Sequence, residues 1–177
     1  LRQVDDTSGY LGATYHTDLG NQLKSSSQIY AGSYADRTVF EYAERDPAEQ
    51  FLQSRIKGVW WGAKQQWVST AWSGHTLVWG GEYRRDTRQS YRWAFLDADR
   101  NVSRVDSDQY DFQTRMLSLF VDDEFALTER IKLSTGLRFD RPTWLDCSVS
   151  PCKDYGFAPV WSPRLGLTYA LSPQTTF

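Results

Sequence analysis

The 177-residue chain has little cysteine, one methionine, two histidines and no surplus of positive charge. It also lacks any apolar run approaching the roughly 18 residues that a membrane-spanning helix needs. That excludes a helical span within these residues. It leaves spanning by strands open, because strands carry a much weaker hydropathy signal. The net charge is −2, whereas nucleic-acid sites are basic, so no nucleic-acid partner is expected. Cys147 and Cys152 have neither a histidine nor a second cysteine pair beside them, which argues against a metal site. No glycine-rich loop leads from a strand into a helix, so no phosphate cradle is present. Asp122, Asp123 and Glu124 resemble paired catalytic carboxylates, but Asp123 points away from the other two, and no nucleophile or histidine accompanies them. His16 and His75 stand alone near expected turns and receive no role. We therefore expect neither enzymatic activity nor a cofactor.

What the chain does have is aromatic residues and alternation. Aromatics make up 15%, with eight Trp and ten Tyr, the residues that favour membrane–water interfaces. Residues 114–141 organise the rest. Ile131, Leu133, Leu137 and Phe139 fall on one face, with Thr135 among them. Lys132, Ser134, Gly136, Arg138 and Asp140 fall on the other. Upstream, Leu117, Leu119, Val121, Phe125 and Leu127 share a face broken by Asp123, opposite Ser118, Phe120, Asp122, Glu124 and Ala126. A period of two is the strand period. Each arm is about ten residues long, matching the 9–11 that cross a bilayer as a strand. A hairpin of a soluble β-sandwich has the same period, so the connections must discriminate.

Further strands are expected over residues 9–17, 23–42, 55–72, 75–91 and 163–171, with an eighth beginning at 175. The connections alternate. Short turns fall at 18–21, 73–74, 128–130 and 172–174. Long ones fall at 44–54, which contains Pro47, and at 92–113 and 142–161. Short periplasmic turns opposite long extracellular loops mark outer-membrane barrels, and a soluble meander has no reason to sort its loops by end. The expected fold is all-β, an antiparallel transmembrane β-barrel segment of about seven strands plus the start of another.

Three stretches carry a family resemblance. LSLFVDDEFALTERIKLSTGLRFDR, HTLVWGGEYR and WSPRLGLTYALSPQTTF are similar, in order and spacing, to strands of TonB-dependent outer-membrane receptors. The resemblance implies a barrel of about 22 strands around an N-terminal plug. It implies the cell outer membrane of a Gram-negative bacterium, with lipid, TonB and a small-molecule ligand such as a ferric siderophore as partners. It implies active transport of that scarce ligand. These residues hold no plug and no TonB box, so 1–177 reads as a partial barrel whose two ends are cuts, and Phe177 as a strand residue. The alternatives are a passive porin-like outer-membrane channel and a soluble β-sandwich that binds carbohydrate.

The ligand-binding candidates are Arg84, Arg88, Tyr91, Arg92 and Trp93, with Arg85 and Phe95 beside them, and Tyr155, Phe157 and Trp161 in the last long loop. They could form an electropositive, aromatic-lined vestibule for an anionic chelate, with arginine donating charge-assisted hydrogen bonds. They could equally be lumen charges and interfacial rings. Trp60, Trp61, Trp67, Trp72 and Trp79 read as girdle and packing, with a carbohydrate platform as the alternative. The carboxylates between Asp97 and Asp111 suggest a calcium loop. The interspersed Arg100 and Arg104 favour a solvated loop instead. Cys147 and Cys152 are expected to form a disulfide that staples a loop tip, as an envelope compartment permits.

Overall fold

The computed structural model describes residues 3–42, 49–105, 110–147, 151–172 and 175–176. Pro47, residues 106–109 of the acidic stretch with two of its five carboxylates, the tip of the cysteine loop at 148–150, the turn residues 173–174 and Phe177 lie outside them. All regular structure among the described residues is strand: β1 (Gln3–Asp18), β2 (Leu23–Glu41), β3 (Phe51–Ser69), β4 (His75–Leu96), β5 (Val102–Val105), β6 (Tyr110–Ala126), β7 (Ile131–Asp146), β8 (Lys153–Gly156), β9 (Val160–Ser172) and β10 (Thr175–Thr176). They form one antiparallel sheet in the order β1-β2-β3-β4-β6-β7-β9-β10, with β5 added to β4 and β8 to β7. The expected strands are all present, but longer at the loop ends. β3 starts at Phe51, β4 runs to Leu96, and short strands sit inside two expected loops. At 22 residues, β4 is about twice the length that crosses a bilayer, so its far half must project beyond one.

Side-chain chemistry at the short turns explains where the chain reverses. Gly20, Asn21 and Gln22 all have positive φ, of 76°, 48° and 62°. Asp18 Oδ1 accepts the Gly20 N–H at 2.9 Å, a local bond of the kind that favours Asp in turns. In the β6–β7 turn, Thr128 Oγ1 accepts from Ile131 N at 3.0 Å and Arg130 N at 3.2 Å. The β3–β4 turn is longer than the two residues expected. β3 ends at Ser69, and the turn closes through His75 N donating to Trp72 O at 3.0 Å.

Apart from one bulge in β4, the principal strands pair from turn to loop, so strand parity holds across the sheet. Even-numbered positions of β1, β2, β3, β6, β7 and β9 face one side with those of β4 up to Asp86. That side is polar and inward: Glu82, Arg84 and Asp86 lie in line with Ser118, Thr114 and Asp140. The other side carries Leu117, Leu119, Val121, Leu137, Leu165 and Leu167. On β6, well inside the sheet, Leu119 is still 51% exposed, as a lipid-facing side chain would be. Aromatic pairs band this outward face twice. Trp67 stacks on Trp79 near the short turns, at 6.1 Å between centroids. Further along, Trp61 meets Tyr83 at 5.6 Å and Phe139 meets Trp161 at 4.9 Å. This is the girdle pattern of a barrel exterior.

One residue breaks the parity. Between β3 and β4 the pairing runs Val59↔Arg88 and then Trp60↔Asp86, and the β4–β6 register shifts at the same place. Thr87 is therefore a bulge, held by its hydroxyl donating to Val59 O at 3.2 Å. Beyond a bulge the alternation inverts, so Gln89, Tyr91, Trp93 and Phe95 take over the inward face.

The inward wall is built from aromatic rings laid over cross-strand glycines. Tyr30 is the Cα partner of Gly62, and Tyr34 of Gly58. A Cβ on Gly62 would meet the Tyr30 ring at 2.3 Å, and one on Gly58 the Tyr34 ring at 2.2 Å. Gly62→Val should therefore displace Tyr30 and lower stability by about 1–3 kcal/mol, as overpacking does. The check is the urea midpoint of the folded barrel. Gly9→Ala, where the nearest atom is 3.8 Å away, should leave that midpoint nearly unchanged.

Candidate functional site

The inward parity of β2, β3, β4, β6 and β7 converges on a groove of about 1160 Å³ towards the long-loop end. Its floor is polar. Tyr30 Oη donates to Glu82. Arg84 Nε donates to Asp86 Oδ1 at 3.0 Å, and Thr114 Oγ1 donates to the other Asp86 oxygen. Two strands away, Arg138 Nε donates to Asp140 at 2.9 Å and its Nη2 to Ser118 Oγ at 2.8 Å. Ser118 Oγ in turn donates to Asp140. Arg84/Asp86 and Arg138/Asp140 are the same device on two strands, a cation and a carboxylate at i and i+2 on one face. Both carboxylates also accept a hydroxyl from β6, which ties the three strands together. Asp86 and Ser118 are buried, so satisfying these groups is a condition of burying them.

The groove's rim is aromatic. Phe112 and Trp144 meet edge to face at 5.4 Å, and Trp144 leads to Tyr155 at 6.3 Å. Tyr34, Tyr91 and Phe157 also line the space. β8 places Tyr155 by pairing with the end of β7, Trp144↔Tyr155. Lys153 lies over the Tyr155 ring at 4.9 Å. Rings at a mouth with hydrogen-bonded polar groups beneath can hold a flat or cyclic ligand by stacking while the floor orients it.

The sequence candidates divide. Arg84, Tyr91, Tyr155 and Phe157 line the groove. Trp93 faces the same way, one inward position beyond Tyr91, whose ring it meets at 5.2 Å. Arg88 and Arg92 do not face it: the Thr87 bulge turns both to the outward face with Arg85. Trp161 is also outward, against Phe139, and belongs to the upper aromatic band. The expected electropositive wall is therefore not formed. Of its arginines only Arg84 points inward, and Asp86 neutralises it. Residues not singled out from sequence do much of the lining: Tyr34, Glu82, Asp86, Phe112, Arg138 and Trp144. Extending the even parity of residues 132–140 to 144 would have found Trp144. Glu82 and Tyr34 needed the cross-strand register.

Elsewhere, Cys147 and Cys152 have their sulfurs bonded, with Cα atoms 4.2 Å apart, next to the end of β7. His75 and Asp123, given no joint role from sequence, meet at 2.8 Å on the outward face near the short turns. Pairing β4 with β6 brings them together, and 48 residues of chain separate them. Among the described residues no cluster of His, Cys, Asp and Glu is arranged to hold a metal.

The fold recurs in solved structures. The copper transporter OprC superposes with a TM-score of 0.71 at 16% identity, covering 97% of this chain and 29% of that one. The ferric citrate transporter FecA, unliganded, gives 0.73 at 13%, covering 96% and 26%. The pyoverdine receptor FpvA of Pseudomonas aeruginosa, bound to pyoverdine, gives 0.65 at 14%, covering 96% and 28%. The chain thus spans less than a third of each of these proteins. No curated protein matches it by sequence. The family described as "TonB dependent receptor-like, beta-barrel" matches residues 2–177. With that match running along nearly its whole length, the chain belongs to the TonB-dependent receptor β-barrels.

Proposed function

We propose that this chain forms part of the barrel wall of an outer-membrane active transporter that takes up a metal chelate, most simply a ferric siderophore, with energy delivered through TonB. The family match over residues 2–177 carries this reading. Solved proteins of the same fold include a ferric citrate transporter and a pyoverdine receptor, and a copper transporter as well. The polar inward face with charge pairs suits a wall lining a water-filled or plugged lumen. The aromatic rim formed by Phe112, Trp144 and Tyr155 sits at the long-loop end, where a ligand arriving from outside would first meet it. With the inward arginines already neutralised, selection of the chelate falls to ring stacking rather than to net positive charge. Such a wall performs no bond chemistry, so the role is transport and not catalysis.

Three outcomes follow. Uptake of an iron-labelled chelate by cells expressing the full receptor should stop when TonB is absent. Unchanged uptake in that background would instead make the barrel a passive channel. Replacing Trp144 and Tyr155 together by Ala should weaken chelate binding by about tenfold or more, the effect of losing roughly 1.4 kcal/mol or more, without changing the amount of receptor in the outer membrane. The Cys147–Cys152 bond should leave no thiol there for an alkylating reagent until a reductant is added, read by peptide mass.

A further inference from the structure

The charges lining the groove are balanced within the wall. Glu82, Arg84, Asp86, Arg138 and Asp146 line it on the inward parity. Arg84 pairs with Asp86 at 3.0 Å, and Arg138 with Asp140 at 2.9 Å. Glu82 accepts the Tyr30 hydroxyl and has Lys64 as its Cα partner. Asp146 has Lys153 as its Cα partner. These lining residues and their partners comprise four carboxylates and four cations, so neither sign is in surplus. Arg115 borders the space between Thr114 and Met116, but its parity is outward, opposite Arg85. Arg88 and Arg92, which would have made the groove basic, leave this face at the Thr87 bulge.

The two arginine pairs are also fixed in place. Asp86 is 8% exposed and binds Arg84 through one oxygen and the Thr114 hydroxyl through the other. The Arg84 guanidinium lies over the Trp60 ring at 5.4 Å. Asp140 accepts from both Arg138 Nε and Ser118, whose side chain is fully buried. Arg84 cannot turn towards a ligand without leaving the buried Asp86 unpaired, and a buried charge stripped of its partner is costly. A negatively charged chelate entering here would shed its water and meet no free cation in return, so its burial would go uncompensated. An uncharged chelate with flat rings carries no such penalty. It gains contact with Phe112, Trp144 and Tyr155, whose rings take partners in offset or edge-on packing.

We propose that Asp86 and Asp140 are specificity-determining residues. By cancelling Arg84 and Arg138 they hold the groove at zero net charge, so the ligand is an uncharged metal chelate built from flat rings, and anionic chelates are excluded. This deepens the transport reading and rests on it. The test uses two ferric chelates on the same tripodal scaffold, an uncharged tris-hydroxypyridinone and a trianionic tris-catecholate. They match in shape and ring number and differ in charge. Binding of each to the purified full receptor is measured by equilibrium dialysis of iron-labelled chelate. Wild type should bind the uncharged chelate about tenfold or more tighter. Asp86→Asn, which leaves Arg84 without its carboxylate, should tighten binding of the anionic chelate by about fivefold or more and leave the uncharged one within about twofold. Asp5→Asn likewise removes the carboxylate of an arginine, Arg37, but on the outward face, and should change neither. If Asp86→Asn does not fold, Glu82→Gln gives the groove the same added positive charge and should shift the preference in the same direction. Tighter binding of the anionic chelate by wild type, binding of neither chelate, or a preference that Asp86→Asn and Glu82→Gln both leave unmoved would overturn the charge filter. Uptake that keeps the preference for the uncharged chelate but persists without TonB would overturn active transport and leave the filter standing.

Discussion

The structure depends on an unbroken antiparallel ladder. A sheet that crosses a bilayer must satisfy every backbone N–H and C=O within itself, since the hydrocarbon offers no partner. Here the pairing runs from the short turns to the loops through β1, β2, β3, β4, β6, β7 and β9. Because the ladder keeps parity, each residue's number assigns it to lumen or exterior. The bulge at Thr87 matters for the same reason. One extra residue reassigns the last third of β4, sending Tyr91 and Trp93 inward and Arg88 and Arg92 outward.

From that constraint the two faces follow different chemistry. The inward face buries polar groups and must match each with a partner, which it does by repeating a cation–carboxylate step on β4 and β7 and joining both through the hydroxyls of β6. It also makes room for large rings by placing glycine opposite them, so Tyr30 and Tyr34 lie flat on the wall instead of standing into the lumen. The outward face has no interior to fill. It is apolar where lipid tails would touch it, aromatic at the two edges of that band, and cationic beyond the edge nearer the loops. His75 and Asp123 are the exception. They place a polar pair on the outward face near the short turns, at the interface end where one partner satisfies the other.

These faces meet in the transport reading. Under the proposed function, a wall that is neutralised on its inner side and ringed by aromatics at its mouth would select ligands by their flat or cyclic faces rather than by charge alone. Arg85, Arg88 and Arg92 stand on the opposite side of the sheet from that groove. An arginine count for β4, taken without its parity, would merge residues of two opposite faces.

The strand period, the sorting of short and long connections and the aromatic richness were all legible in the sequence, because each is local: neighbouring side chains alternate, and turns need Gly, Asn, Asp or Thr within a few residues. Those features were enough for an antiparallel barrel wall, for its seven principal strands and for the polar face carrying Arg138 and Asp140. Which rings and charges meet was not legible. Tyr34 over Gly58, Trp144 beside Phe112, His75 on Asp123 and Arg85 opposite Arg115 all join residues from different strands, and a shift of one position in register would have separated every pair. The bulge at Thr87 has no sequence mark, since any residue can occupy it, yet it decided that Arg88 and Arg92 leave the groove. Period and turns are properties of neighbouring residues, and so the sequence by itself determined them. Register and parity are properties of the whole hydrogen-bonded ladder, and only the tertiary structure decided those.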